Sequence, residues 1–261
     1  MIKFYTLFSS SSGNSTLIST GETNILVDAG VSMARLNVAL KDVGISPNEL
    51  DGILITHEHR DHIYGAGALS RKYNIPLYAS EKTLSETVKI VGDVYEHNLR
   101  SVQAKKHFEI REFVICPFSI PHDAVSPMGY SVFYNDKKYT VATDIGHISD
   151  SLLKSLCKSD TILLESNHDI KMLNEGSYPY YLKKRILSDV GHLSNDKASW
   201  LVTQLAKWGT KNIILGHLSK ENNTYEKAYE ASYSMLTKNG FEVDKDVNLK
   251  IALPNSTVEV I

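Results

Sequence analysis

The sequence predicts a mixed α/β (α+β) protein, and three observations carry that expectation. Short apolar runs rich in β-branched residues alternate along the chain with segments of helical period. Several of those runs stop abruptly at an aspartate or a histidine, as a buried strand does at a sheet edge. A hydrophobic content of 42% against 22% charged residues over 261 positions supplies a full core.

Taken in order, Lys3 to Leu7, Thr16 to Ser19 and Asn24 to Asp28 have strand character, and Met33 to Val43 has helical spacing. Gly52-Ile53-Leu54-Ile55 reads as a buried strand. Helices over Ala66 to Tyr73 and Glu81 to Val91 flank a short strand at Pro76-Leu77-Tyr78. Met128 to Tyr134 and Lys138 to Ala142 form a hairpin pattern about Asn135-Asp136-Lys137, residues that tolerate tight turns. The alternation resumes with a strand at Thr161 to Leu164, a helix near Ser194 to Lys207, a strand at Asn212 to Leu215 and a helix near Tyr225 to Lys238. There is no repeat or low-complexity linker. The core could be one large domain or two tightly joined halves, and residues 1–261 are taken as a single domain.

Composition narrows the function classes. No apolar stretch approaches the roughly 20 residues of a membrane span, and Met1 to Tyr5 lacks a signal pattern, so a cytoplasmic protein without a membrane partner is expected. Cys116 and Cys157 are too few for a disulfide framework or a thiolate zinc site and read as buried free thiols. A net charge of −2 offers no global attraction for nucleic acid. Lys105-Lys106-His107 and Lys183-Lys184-Arg185, the latter on a helix, could touch phosphates, although a solvated face is the simpler reading.

The chemistry concentrates in Thr56-His57-Glu58-His59-Arg60-Asp61-His62. His57 and His59 alternate on one side of an extended segment, and Asp61 and His62 follow after the chain turns, an arrangement suited to two metals. Three histidines and an aspartate in six positions would be hard to bury without cations. Asp28 fits a carboxylate behind a ligating histidine. His122, Asp144 and His217 each follow or end an apolar run, where an ordinary loop or turn role is the simpler reading for each alone. Ser9 to Ser15 (SSSSGNS) could converge amides on an anion or form a flexible turn; it has no Walker spacing. Gly-His-Leu-Ser occurs twice, at Gly191 to Ser194 and at Gly216 to Ser219, which leaves His192 as an extra histidine just before a helix.

The His-x-His-x-Asp-His motif resembles the signature of the metallo-β-lactamase-fold hydrolases, with the downstream residues in the expected order. That resemblance implies a four-layer αββα sandwich with metals at the sheet edge. It assigns His57, His59 and His122 to one cation, Asp61, His62 and His217 to the other, and Asp144 as the bridge between two divalent ions, Zn²⁺ or Mn²⁺. In the nuclease branches, including the tRNA 3′-processing endonucleases, a comparable Gly-His-x-Ser histidine pairs with a glutamate, the place Glu165 fills in Leu163 to Asp169. The whole pattern is similar to the YycJ/WalJ group, which implies a 5′-to-3′ DNA exonuclease, with RNA left open as a substrate. The interval from Asp144 to His217 is too short for an inserted β-CASP domain.

The mechanism so implied uses a metal-bridging hydroxide. Asp61 would take its proton, and His192, oriented by Glu165, would serve the phosphorane charge or the leaving oxygen. Ser12, Asn14 and His168 are candidate substrate contacts. The alternative is a hydrolase of small esters, thioesters, lactones or phosphodiesters, which needs the same metals and no DNA track. A noncatalytic scaffold would have no need of the complete ligand set.

Overall fold

The computed structural model describes residues 2–261, which form two compact units. The first takes in the chain up to Ser119 with Ala124–Tyr134 and Leu253–Ile261; the second is Ile120–Asp123 with Asn135–Ala252.

The first unit opens with an antiparallel meander, β1 (Lys3–Phe8), β2 (Ser15–Ser19) and β3 (Asn24–Val27). Three parallel strands continue the sheet: β4 (Gly52–Leu54), β5 (Leu77–Ala79) and β6 (Leu99–Ser101). Their crossovers carry helices α1 (Met33–Asp42), α2 (Arg60–Ile63), α3 (Ala66–Tyr73) and α4 (Glu81–Val91), as parallel pairing requires. Ser32 and Ser80 start α1 and α4 by accepting hydrogen bonds from the amides of Arg35 and Thr83. Leu17, Leu26, Ile53 and Leu77 of the strands join Leu36, Leu40 and Leu69 of the helices in one buried cluster. The C-terminal strand Val258–Glu259 pairs onto β1.

A separate antiparallel ladder in this unit consists of β7 (Phe108–Ile110), β8 (Phe113–Ser119) and β9 (Met128–Tyr134). The strand that the sequence places after His107 is β7; the pattern did not indicate β6 or β8. β6 is three residues long, and β8 contains Pro117, which argues against a central strand. The register explains its tolerance: β7 pairs only with Phe113 to Ile115, so Pro117 lies past that ladder.

The second unit resumes after Ile120–Asp123 at Asn135 and Asp136, whose φ values of 47° and 60° suit the two central positions of a tight hairpin turn. Four parallel strands follow: β10 (Lys137–Ala142), β11 (Thr161–Glu165), β12 (Asn212–Gly216) and β13 (Asn248–Ile251), paired in that order. β11 is buried along its whole length, as a strand covered on both faces must be. Helices α5 (Asp150–Leu156), α6 (Ile170–Glu175), α7 (Tyr180–Leu187), α8 (Asn195–Lys207) and α9 (Tyr225–Lys238) connect them. Ser149, Asp169, Ser194 and Thr224 cap α5, α6, α8 and α9. Helices α5 and α6, of seven and six residues, are too short to show a period, which is why the sequence left them unassigned. Cys116 and Cys157 are partly rather than fully buried.

Among the described residues, no helix is long and apolar enough to cross a membrane.

Candidate active site

Parallel strands deliver their C-terminal residues to one edge, where open α/β sheets bind ligands. In the first unit β3 and β4 bring Asp28 and Thr56 together. The buried Asp28 carboxylate accepts hydrogen bonds from the Thr56 amide (2.8 Å), the Thr56 hydroxyl (2.9 Å) and His62 Nδ1 (2.7 Å). Burial pushes its pKa up, opposed by His62. Since an ionised carboxylate only accepts, His62 must carry its proton on Nδ1, leaving a lone pair on Nε2. The Thr56 hydroxyl donates to Asp28 and so can accept from His57 Nδ1 at 3.0 Å, setting the same tautomer there. Thr56 was not singled out from the sequence; its place between an apolar strand and the first histidine was the available signal.

His59 has extended backbone and Asp61 and His62 stand on the first turn of α2, while the chain bends at Glu58 between His57 and His59, where the spacing alone predicts a continuous extended segment. The His57 ring lies 4.6 Å from that of His59 and 4.1 Å from that of His62, centroid to centroid. The Ser-Gly-Asn segment is bound to this loop. The Asn14 amide nitrogen of the backbone donates to Asp61 O (2.9 Å), and its carbonyl accepts from Gly30 N (2.8 Å). The Asn14 side chain also faces Asp61 and His62, 3.2 Å from His62 Nε2. Asn14 is thereby placed as a brace for the loop. Ser12 is exposed and bonded within its own turn to Ser10.

Gly30 makes this contact possible: a Cβ there would lie 1.6 Å from Asp61 O and 2.7 Å from Asn14 N. Neither backbone atom can move without displacing the histidine loop. Gly30→Ala is expected to lose about 3 kcal/mol of stability. Urea denaturation of the two proteins checks this, and an unchanged midpoint would contradict the close approach.

In the second unit β10, β11 and β12 present Asp144, Glu165 and His217 from adjacent strand ends. Glu165 is the hub, fully buried and accepting four hydrogen bonds. Oε1 takes His192 Nδ1 (2.8 Å) and His217 Nδ1 (2.9 Å); Oε2 takes the amides of Ile145 (2.8 Å) and Leu193 (3.0 Å). Burial would raise its pKa, but His192 and His217 outweigh that and hold it below the usual carboxylate range. The sequence pairs Glu165 with His192 alone; the hold on His217 is new. His122 donates from Nδ1 to Gly191 O at 3.2 Å, and burial lowers its pKa.

These tautomers leave Nε2 of His122 and of His217 as lone pairs, lying 3.6 and 3.7 Å from Asp144 Oδ1. Two ligand atoms on a tetrahedral cation at about 2.1 Å would be about 3.4 Å apart, close to those separations. Ligand atoms of Asp144, Glu165, His192 and His217 also gather within 4.8 Å of one another. The donor set therefore fits a divalent cation. Three of these residues share a backbone feature that no spacing reveals: Asp28, Asp144 and His217 have φ of 62°, 61° and 55°, the left-handed region that side chains disfavour.

His168 departs from the expected phosphate contact. It is 1% exposed, burial drops its pKa to about 4, and a neutral buried ring offers phosphate no accessible donor.

A family model described as the metallo-beta-lactamase superfamily matches residues 10–217. The chain is 40% identical over 256 residues to exodeoxyribonuclease WalJ of Streptococcus pneumoniae serotype 2 (strain D39 / NCTC 7466), covering 97% of this chain and 95% of that protein. It is 38% identical over 244 residues to exodeoxyribonuclease YycJ of Bacillus anthracis, covering 93% and 92%. The metallo-beta-lactamase fold protein YhfI of Bacillus subtilis superposes with a TM-score of 0.71 at 16% identity over 99% of each chain. Matched by that family model over residues 10–217 and aligned with these relatives over nearly its whole length, this chain belongs to the metallo-beta-lactamase superfamily.

Proposed function

We propose that the protein is a metal-dependent phosphodiesterase that degrades DNA from a 5′ end. The observation that carries the reading is the His192–Glu165 pair beside Asp144, an extra histidine held ready, in a chain aligned over nearly its whole length with an exodeoxyribonuclease. The ligand set is the one the family resemblance implies: His57, His59 and His122 for one cation, Asp61, His62 and His217 for a second, and Asp144 for both. Bound divalent cations would polarise a phosphoryl oxygen and make water nucleophilic at neutral pH. Histidine-rich ligation suits zinc, and the aspartates admit manganese.

The chain's own groups supply the proton traffic. The Asp61 side chain is 25% exposed and can take a proton from the attacking water. His192, 16% exposed, keeps its Nδ1 proton on Glu165, so Nε2 is the atom that exchanges a proton with the leaving oxygen, and the buried carboxylate stabilises the imidazolium. Asn14 and Asp28 act one step behind, holding the histidine loop in place.

The purified protein with Mn²⁺ or Zn²⁺ should shorten DNA labelled at its 3′ end progressively from the 5′ terminus, with RNA run in parallel. Hydrolysis of lactones or thioesters with no cleavage of nucleic acid would favour a small-molecule enzyme. His192→Ala should retain its metal and lose about 10²-fold or more in turnover. Metal content and single-turnover cleavage, measured on the same sample, check it; wild-type cleavage would remove His192 from the mechanism.

A further inference from the structure

Tyr180 and Tyr181, at the start of α7, are 72% and 74% exposed, the two most exposed large hydrophobic side chains among the described residues. On a helix each is neighbour to the residue four positions on, so Tyr180 stands with Lys184 and Tyr181 with Arg185. The Lys184 ammonium lies 5.1 Å from the centre of the Tyr180 ring. Arg185 is ion-paired with Asp123, the residue after His122.

The helix is fixed to the histidines by its backbone. Ile186 O accepts from His192 N (3.0 Å), and Gly191, whose carbonyl accepts from His122, donates to Ser188 O (3.0 Å). At its other end Lys183 Nζ donates to the carbonyls of Asn174 (2.8 Å) and Gly176 (2.7 Å), tying α7 to the end of α6. From Tyr181 to Ile186 is five residues, about 7.5 Å along the helix axis. Flat aromatic faces beside cations, on a helix whose other end is hydrogen-bonded to the backbone of His192, are what sequence-tolerant single-strand binding uses.

We propose that Tyr180 and Tyr181 form a stacking platform for single-stranded DNA leading to the His192 site, with Lys184 facing the backbone phosphates. The proposal rests on the nuclease reading above and names how the strand is gripped. Bases lie against the rings, and Arg185, occupied by Asp123, keeps the helix in register with the site.

The test compares the metal-loaded wild type with double variants at 180 and 181 carrying Ala, Leu or Trp. Each is assayed on a single-stranded oligonucleotide and on bis(4-nitrophenyl) phosphate. For Ala and Leu the KM on the oligonucleotide should rise about 10-fold or more, with turnover of the small diester unchanged. Trp, which keeps a flat π-face, should restore the wild-type KM. An unchanged KM in the Ala variant, a Leu variant equal to wild type, or an equal loss on both substrates would overturn the platform. A changed oligomeric state with an unchanged KM would assign the tyrosines to a contact between copies and also overturn it. A wild type that cleaves the small diester and no DNA would overturn the nuclease reading itself, and the platform with it.

Discussion

Asp144→Ala is expected to strip divalent metal from the protein and to lower turnover by about 10³-fold or more. The carboxylate oxygen stands 3.6, 3.8 and 3.7 Å from ring nitrogens of His122, His192 and His217. A methyl group offers none of the metal-oxygen bonding proposed there. The fold itself should survive, because Asp144 lies beyond the end of β10 and contributes no strand pairing. Elemental analysis together with a DNA cleavage assay checks the expectation. Full metal content and wild-type turnover in the variant would remove Asp144 from the ligand set.

Glu165→Gln is the second large effect, and the structure makes it larger than the sequence suggests. Read from the motif, Glu165 orients only His192, so its loss should cost less than the loss of His192. In the structure one carboxylate accepts four donors, two from imidazoles and two from backbone amides. A carboxamide has a single acceptor oxygen and turns an NH₂ group toward donors, so either the two imidazoles on Oε1 or the two amides on Oε2 lose their partner in a fully buried place. With the NH₂ group turned toward the rings, His217 can take the other tautomer, and metal content should fall along with activity. Turnover should drop by about 10³-fold or more, and stability by about 3 kcal/mol, the scale of a broken buried charged network. Thermal unfolding and metal analysis of the variant separate this from a defect confined to His192. A variant that keeps its metal and loses only turnover would restrict Glu165 to His192.

Much of this site is legible in the chain because ligand chemistry is written in side-chain type and spacing. His57 to His62 falls where a strand gives way to a helical turn, although the bend at Glu58 is absent from the spacing. Glu165 and His192 are 27 positions apart, and only the repeated Gly-His-Leu-Ser brings them to notice. Other parts are three-dimensional from the outset. The brace that Asn14 and Gly30 make with Asp61 depends on a backbone approach that leaves no trace in residue type, since glycine and asparagine suit any turn. His168 carries a ligand-like side chain, but burial keeps it neutral and inaccessible, and burial is set by neighbours distant in sequence. The strand with Pro117 shows the converse: a residue that argues against pairing is tolerated because one neighbouring strand stops short.

The left-handed backbone at Asp28, Asp144 and His217 sets selection for durability against selection for turnover at the same three codons. Glycine adopts that conformation at no steric cost, so a glycine at any of them would relax the main chain while deleting the side chain the chemistry needs. A library screened only for survival at high temperature would therefore gather glycines there and become inactive, whereas one screened for DNA degradation would keep the strained residues and seek its stability elsewhere, in helix caps and in the core.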